Sequence, residues 1–326
     1  MEYLFYLNGD HPDLARYEIT SLLSAYGHDV SLRIIHPQLV LLSSRELPRP
    51  ALERLSLTHS VGTYMGGMEA STGSLEPSTI EHIMCDDPFS VRIKKLDKGI
   101  NAMGEERRLA RQILSVVSAP VDLGSPAQRI VGFHVAGTIH VANVIASTSA
   151  QAFDGRKPQY RPYFHPSSLH PRIARVLVNI SQARREVFDP FCGTGGILIE
   201  AGLMGLETFG MDIEEKMVIG TRENLAHFGL EGDVRKGDAT RIGDTFDEPF
   251  ECIVSDLPYG KSTVVAGGRE RLYARAFEQM YEHSLHRLVT VIPVFFDFAS
   301  RGYTVESHFT IRVHRSLERH IHVLSH

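Results

Sequence analysis

Apolar and polar residues follow two different rhythms along this chain. Residues 3–7 form a short apolar run that predicts a strand, closed by the turn-formers Asn8-Gly9-Asp10. Pro12 then opens a segment in which Ala15, Ile19, Leu22, Leu23 and Tyr26 recur at helical spacing, with Gly27 as its stop. Strands are predicted at 30–35 and 39–42 around His36-Pro37-Gln38, a helix near 51–57 and a strand near 61–65. The order β-α-β-β-α-β is that of a split βαβ unit. Residues 66–78, rich in Gly, Ser and Thr, read as a linker. Beyond them a second small unit is expected, with a strand at 89–93, a helix near 106–117 and strands at 130–135 and 139–145.

Around residues 151–171 the composition shifts to Arg, Tyr, Pro and His, marking a loop-rich junction. After it the rhythm becomes a strict alternation. Strands are predicted at 187–188, 208–211, 234–236, 252–255 and 288–292; helices are predicted at 197–204, 216–228 and 271–286. Such alternation implies a parallel sheet covered on both faces. Two successive strands, 303–313 and 320–324, end it in an antiparallel hairpin, which resembles the class I (Rossmann-like) methyltransferase architecture.

Composition excludes several function classes. With 326 residues the chain has room for about two domains. No apolar stretch is long enough for a membrane span. The start of the chain has neither the basic region nor the cleavage site of a secretory signal. Cys85, Cys192 and Cys252 make no Cys-x-x-Cys pair, so neither a disulfide framework nor a zinc knuckle is expected, and a reducing cytoplasm is. No metal site is expected. The net charge of −5 hides an asymmetry: residues 200–256 hold 14 acids and 5 bases, whereas residues 154–185 hold 7 bases and 1 acid. A second basic stretch contains Arg92, Lys94, Lys95, Lys98, Arg107, Arg108 and Arg111. Phosphate responds to local patches, so an anionic polymer remains a credible partner.

The chemistry is concentrated in two loops. Asp189-Pro190-Phe191-Cys192-Gly193-Thr194-Gly195-Gly196 lies between a strand and a helix, where glycines let the backbone approach a ligand and a helix N-terminus offers amides. Leu198 stands where a dinucleotide fold would need a third glycine, which reads against an oxidoreductase. Asp212, ending the next strand, suits the two hydroxyls of a ribose, and Asp238, ending the third, an adenine amine. With Ile213 and Ala239 beside them, these strand-end residues form a consistent nucleoside site, although each alone would be an ordinary turn residue. The second loop is Asp256-Leu257-Pro258-Tyr259-Gly260. A purine's exocyclic amine is a poor nucleophile because its lone pair is delocalised into the ring. A carboxylate and a backbone carbonyl that accept its two hydrogens favour a pyramidal nitrogen aimed at a methyl donor. Pro258 stiffens the loop and Tyr259 can stack on a base taken out of its helix.

The pairing of the glycine loop with Asp256-Leu257-Pro258-Tyr259-Gly260-Lys261-Ser262-Thr263 resembles the THUMP-containing tRNA guanine N2-methyltransferases, more narrowly the archaeal and eukaryotic enzymes acting at position ten. Arg161-Pro162-Tyr163-Phe164-His165-Pro166-Ser167-Ser168-Leu169 and Arg312-Val313-His314-Arg315-Ser316-Leu317 support it, as do Val91-Arg92-Ile93-Lys94 and Val121-Asp122-Leu123-Gly124-Ser125-Pro126. The resemblance implies a ferredoxin-like domain over 1–68, a THUMP domain over 69–150, a linker over 151–170 and a class I methyltransferase domain over 171–326. It implies S-adenosylmethionine as cofactor, held by Asp189, Gly193, Thr194, Gly195, Asp212, Ile213, Asp238 and Ala239, with Asp256, Pro258 and Tyr259 catalytic. The segment from His165 to Leu169 would close over the cofactor's amino-acid end.

The resemblance also implies tRNA as substrate, gripped through phosphates by Lys94, Lys95, Arg107, Arg108 and Arg111, with Arg156, Lys157, Arg161 and Arg172 along the path between the domains. Some relatives work with a small zinc-binding activator protein, which this sequence neither requires nor excludes. The chain departs from the family's Asp-Pro-Pro-Tyr in carrying Leu257, so a Leu257→Pro change is expected to leave methylation equal or faster. Rival readings are an N2-guanine methyltransferase of another tRNA position or of rRNA, a DNA-adenine methyltransferase, and an inactive tRNA-binding protein.

Overall fold

The computed structural model describes residues 1–165, 168–258, 268–293, 296–314 and 317–326. The chain divides into two compact units. One comprises Met1–Arg16, His28–Glu53 and Thr58–Thr148; the other comprises Tyr17–Gly27, Arg54–Leu57 and Ser149–His326. Among the described residues no helix is long and apolar enough to cross a membrane.

The first unit is built on a seven-stranded sheet of β1 (Glu2–Leu7), β2 (Leu32–His36), β3 (Leu39–Ser43), β4 (Thr58–Glu69), β5 (Phe89–Lys95), β6 (Gln128–Val135) and β7 (Thr138–Ser147), in the order β2-β3-β1-β4-β7-β6-β5. Along the chain, α1 (Pro12–Ala25) joins β1 to β2 and α2 (Arg49–Arg54) joins β3 to β4, as the split βαβ pattern predicts. The sequence predicts a linker from residue 66, but β4 runs on to Glu69, pairing with β1 and then with β7. Gly66, at φ 124°, sits beside a register shift that lets the strand continue, and Met65 and Met68 bury into the sheet's core. Pro77 then opens a short helix, α3 (Pro77–Ile83), at the far end of the expected linker. A longer helix, α4 (Ala102–Leu114), is capped by Asn101 and packs Leu109 and Ile113 against Val91 and Ile93 of β5.

The second unit alternates as expected. A short helix, α5 (Ala150–Asp154), precedes α6 (Pro171–Ile180), a helix absent from the predicted elements. Pro171 starts α6, and Ala174, Val176, Leu177 and Ile180 are buried along it. The parallel strands are β8 (Glu186–Asp189), β9 (Glu207–Asp212), β10 (Asp233–Lys236), β11 (Phe250–Asp256) and β12 (Ser284–Ile292). The antiparallel hairpin β13 (Thr304–His314) and β14 (Leu317–Ser325) follows, giving the order β10-β9-β8-β11-β12-β14-β13. Helices α7 (Gly196–Leu203), α8 (Glu215–His227) and α9 (Gly268–Glu282) connect the strands. The predicted helix over 271–286 is shorter at its end, because β12 starts at Ser284.

Two stretches from far upstream complete this unit. Glu18 is fully buried and accepts hydrogen bonds from the Ser56 and Leu57 amides, the Ser56 hydroxyl and the Asn179 side-chain amide at 2.7–2.9 Å. Burial raises its pKa, and these four donors oppose the rise. Arg54 adds a bond to the Ala183 carbonyl at 2.9 Å.

Candidate active site

Strand order reverses between β8 and β11, and in open α/β sheets ligands bind beyond the strand ends at such a point. A cleft of about 410 Å³ opens there, within the usual size range for small-ligand sites. The residues after β8, β9, β10 and β11 all line it: Asp189 and Gly193, Asp212 and Ile213, Asp238 and Ala239, Asp256, Leu257 and Pro258.

The glycine loop is shaped by backbone conformation and by polar clamps. Gly193 and Gly195 have φ of 54° and 80°, conformations that side chains resist. A Cβ at Gly195 would also lie 2.8 Å from the Thr221 methyl. Thr221 donates its hydroxyl to the Gly193 carbonyl at 2.7 Å. The Asn224 amide spans the Thr194 and Tyr163 carbonyls, both at 2.9 Å, and its oxygen accepts the Tyr163 amide. These bonds tie the segment before α6 to the loop. Ser168 and Thr194 share a hydroxyl–hydroxyl bond of 2.9 Å, and His165, Ser168 and Leu169 line the cleft. Residues 166 and 167 lie outside the described residues.

Asp212 accepts the Gly193 amide on one oxygen (3.0 Å) and the Glu214 amide on the other (2.9 Å). With the Ile213 backbone amide as a third donor, the carboxylate still keeps acceptor capacity for a ribose hydroxyl. Asp238 accepts the Thr240 amide and hydroxyl, both on Oδ1; among the described residues nothing engages Oδ2. Ile213 is 65% exposed, a large apolar side chain left at the mouth of a cleft. Asp189 is buried at the base, accepting the Ser255 hydroxyl at 2.6 Å and the Phe191 amide at 3.1 Å. Burial, with smaller contributions from Asp256 and Asp212, pushes its pKa up to about 7.

Opposite stands the end of β11. Leu257 is fully buried in the core, and its amide donates to the Val291 carbonyl at 3.0 Å. This corrects the expectation for Leu257→Pro: the extra amide hydrogen extends the ladder instead of loosening the loop, and proline has no donor to replace it. The hydroxyl of Tyr273, on α9, donates to the Pro258 carbonyl at 2.9 Å. Asp256 has an ion pair with Arg319 of β14, at 3.7 Å. Tyr259 lies outside the described residues.

Residues 158–319 match the family model described as an RMKL-like methyltransferase domain. The tRNA (guanine(10)-N2)-dimethyltransferase of Pyrococcus abyssi is 36% identical over 83% of this chain and 85% of its own length. That of Methanothermobacter thermautotrophicus is 32% identical over 99% of both. The chain belongs to the tRNA (guanine(10)-N2)-dimethyltransferase family. Among solved structures, TrmN from Thermus thermophilus aligns over 100% of this chain and 99% of its own, at a TM-score of 0.56 and 18% identity. SMU.472, solved in complex with SAH, aligns over 98% and 97%, with 0.52 and 16%. At such identities these two establish the fold, which is that of class I methyltransferases.

The residues present fit the cofactor of a methyltransferase family, S-adenosylmethionine. Asp212 and Asp238 offer unfilled acceptor positions at successive strand ends, Ile213 an exposed apolar surface, and the glycine loop a close backbone approach without a Cβ in the way.

The basic residues expected to meet phosphate separate into two groups. Lys95, Arg107 and Arg111 are exposed, and Lys94 is exposed with its ammonium 4.6 Å above the Tyr6 ring. Arg108 is instead structural: it pairs with Glu105 and donates to the Gly73 and Glu69 carbonyls. Arg161 is only 4% exposed, packed beside Gly196, and burial lowers its pKa to about 10. Arg156 is held on the buried carboxylate of Glu200 at 2.7 Å, with Arg175 at 2.8 Å on the other oxygen. Lys157 pairs with Asp154 at 2.7 Å. Placing Arg108, Arg156 and Arg161 at a phosphate surface is therefore corrected: the first two guanidinium groups already serve carbonyls and carboxylates, while that of Arg161 is buried, with Nε on the Arg156 carbonyl and Nη1 and Nη2 without a hydrogen-bond partner among the described residues. Arg172 stands 5.2 Å from the Phe153 ring.

Sequence reasoning missed Thr221, Asn224, Ser255, Tyr273 and Arg319. None lies in a recognisable motif with the loop it serves. Only the helical position of Thr221 and Asn224, three residues apart on one face of α8, carries a local signal.

Proposed function

We propose that this protein transfers methyl groups from S-adenosylmethionine to the exocyclic N2 of a tRNA guanosine, at position ten. The observation that carries this reading is that the glycine loop and the rim Asp256-Leu257-Pro258 line one cleft at the switch point of the sheet. The relatives' names supply the substrate. When bound, S-adenosylmethionine supplies a methyl group on a sulfonium, already an activated leaving group. What remains for the chain is positioning.

Asp256 accepts a hydrogen of the guanine amine and receives the proton that the nitrogen sheds. The second hydrogen goes to a backbone carbonyl of the same rim, which the Tyr273 hydroxyl steadies through its bond to the Pro258 carbonyl. Both hydrogens directed away from the ring plane leave the nitrogen's lone pair facing the donor. Tyr259 stacks on the extruded base. Asp189, Gly193, Thr194, Gly195, Asp212, Ile213, Asp238 and Ala239 hold the cofactor.

The N-terminal region serves as the tRNA-binding part, a ferredoxin-like half over 1–68 and a THUMP half over 69–150, followed by the linker over 151–170 and the methyltransferase domain. Lys94, Lys95, Arg107 and Arg111 are its phosphate contacts, with Lys157 in the linker and Arg172 in the first turn of α6, which makes binding salt-dependent. A small zinc-binding activator is a further partner of this reading.

Incubation with unmodified tRNA and labelled S-adenosylmethionine, followed by nucleoside mapping, tests it. The expected products are N2-methylguanosine and N2,N2-dimethylguanosine at position ten. Label on a sugar, a pyrimidine or a ring nitrogen would refute it.

A further inference from the structure

The rim aspartate is not alone at the strand ends. Arg319 extends from β14, where its backbone neighbour Ile311 lies on β13, and its guanidinium reaches past β12 to Asp256 at 3.7 Å. Both side chains are largely withdrawn from water, at 11% and 14% exposure. An ion pair so sheltered is screened far less than a surface pair.

The surroundings give that guanidinium a task. Facing Asp256 from β8 is Asp189, whose proton affinity Asp256 raises. Asp212, Glu214 and Asp238 stand around the same cleft from the ends of β9 and β10, and His165 from the segment before α6. From α9 the nearby polar group is the Tyr273 hydroxyl, which binds the Pro258 carbonyl. The cleft therefore carries an excess of carboxylates, and each disfavours ionisation of the others. Arg319 sets a cation against Asp256 within that acidic surround.

We propose that Arg319 is a positioning residue that keeps Asp256 ionised and aims its carboxylate at the incoming amine. The inference rests on the methyl-transfer reading above. A protonated Asp256 would offer a hydrogen to the amine where an acceptor is needed. A neighbouring opposite charge lowers a carboxyl pKa by about 1–3 units. Placed 3.7 Å from Oδ2, the guanidinium also biases which carboxylate oxygen points into the cleft.

The test compares the full-length wild type with Arg319→Gln and Arg319→Lys. Thermal unfolding and calorimetry with S-adenosylmethionine check folding and the cofactor site, and the kcat–pH profile with unmodified tRNA is the deciding measurement. The Gln variant should bind cofactor within about twofold of wild type. The acidic limb of its kcat profile should move up by about one pH unit or more, so that its deficit deepens as pH falls. Lysine should restore the limb part-way. In an Asp256→Asn background, adding Arg319→Gln should change the profile no further.

An unshifted limb in a folded, cofactor-binding Gln variant would overturn the proposal, as would an equal shift in the Asn background. Should Gln fail to fold, Arg319→Met takes its place as the uncharged variant, and an unshifted limb there overturns the proposal in the same way. If wild-type enzyme places no methyl on guanine N2, the parent reading fails instead, a result seen before any Arg319 variant is assayed.

Discussion

The two walls of the cleft are held in different ways. On the cofactor side, the glycine loop is clamped by Thr221, Asn224, Asp212 and Ser168 at once, and its glycines occupy conformations that other residues resist. On the reacting side, the rim rests on the Leu257 amide to Val291, the Tyr273 hydroxyl to Pro258 and the Asp256–Arg319 pair, each from a different element. Redundant clamps make a preorganised binding surface whose loss is felt in affinity. A rim held at separate points should instead register damage in kcat, since its contacts matter most when the amine is being aimed.

Substitutions can break or sharpen that contrast. Asp256→Ala should have the largest effect, lowering kcat by about 10²–10⁴-fold. Its calorimetric affinity for S-adenosylmethionine should stay near wild type; a parallel loss of binding would erase the distinction between the walls. Gly195→Ala should do the reverse. Strain at positive φ costs about 1–3 kcal/mol, so cofactor affinity should drop by about one to two powers of ten, while kcat at saturation changes less.

Leu257→Pro removes the donor to the Val291 carbonyl and disturbs a fully buried side chain. An unpaired buried acceptor costs about 1–3 kcal/mol, so Tm should fall by several degrees in a melting experiment and methylation should weaken. Tyr273→Phe deletes one bond to the rim, which contributes about 0.5–1.5 kcal/mol. A decline in kcat of about two- to tenfold with unchanged cofactor affinity would show that α9 aims the rim.

A last effect, read in stability and not in turnover, concerns Asp189. Its folded pKa stands at about 7 against an ordinary value of 3.8, so the folded chain binds the proton more tightly than the unfolded one. The stability it contributes is complete below about pH 4 and is lost as pH rises towards 7. Asp189→Asn keeps an acceptor for Ser255 and should flatten the Tm profile across that window; an identical slope would mean that the carboxyl stays ionised.

Much of the second unit could be read from the chain because its signals are local. Strands and helices over 186–256 appear within a few residues of their expected limits, and the Asp189–Gly196 and Asp256–Pro258 loops fall at strand ends as the motifs require. The linker reading over 66–78 holds only for residues 70–76, because Gly and Ser are turn-formers by habit while the continuation of β4 to Glu69 depends on β7 pairing with it. The surface role given to Arg108, Arg156 and Arg161 fails for a related reason. A charge count along the chain cannot show that Glu200 projects from α7 beneath Arg156 and Arg175.

What the chain alone determined was the alternation of strands and helices, the glycine turn, and the acid-proline rim, because periodicity and backbone restriction act between sequence neighbours. Tertiary structure alone decided that Asn224 joins the glycine loop to Tyr163, that Glu18 is buried against Asn179, and that Arg319 arrives at Asp256. Strand order and register decide the last of these and the packing of helices the other two, both set by the burial of whole faces and encoded in no short stretch of residues.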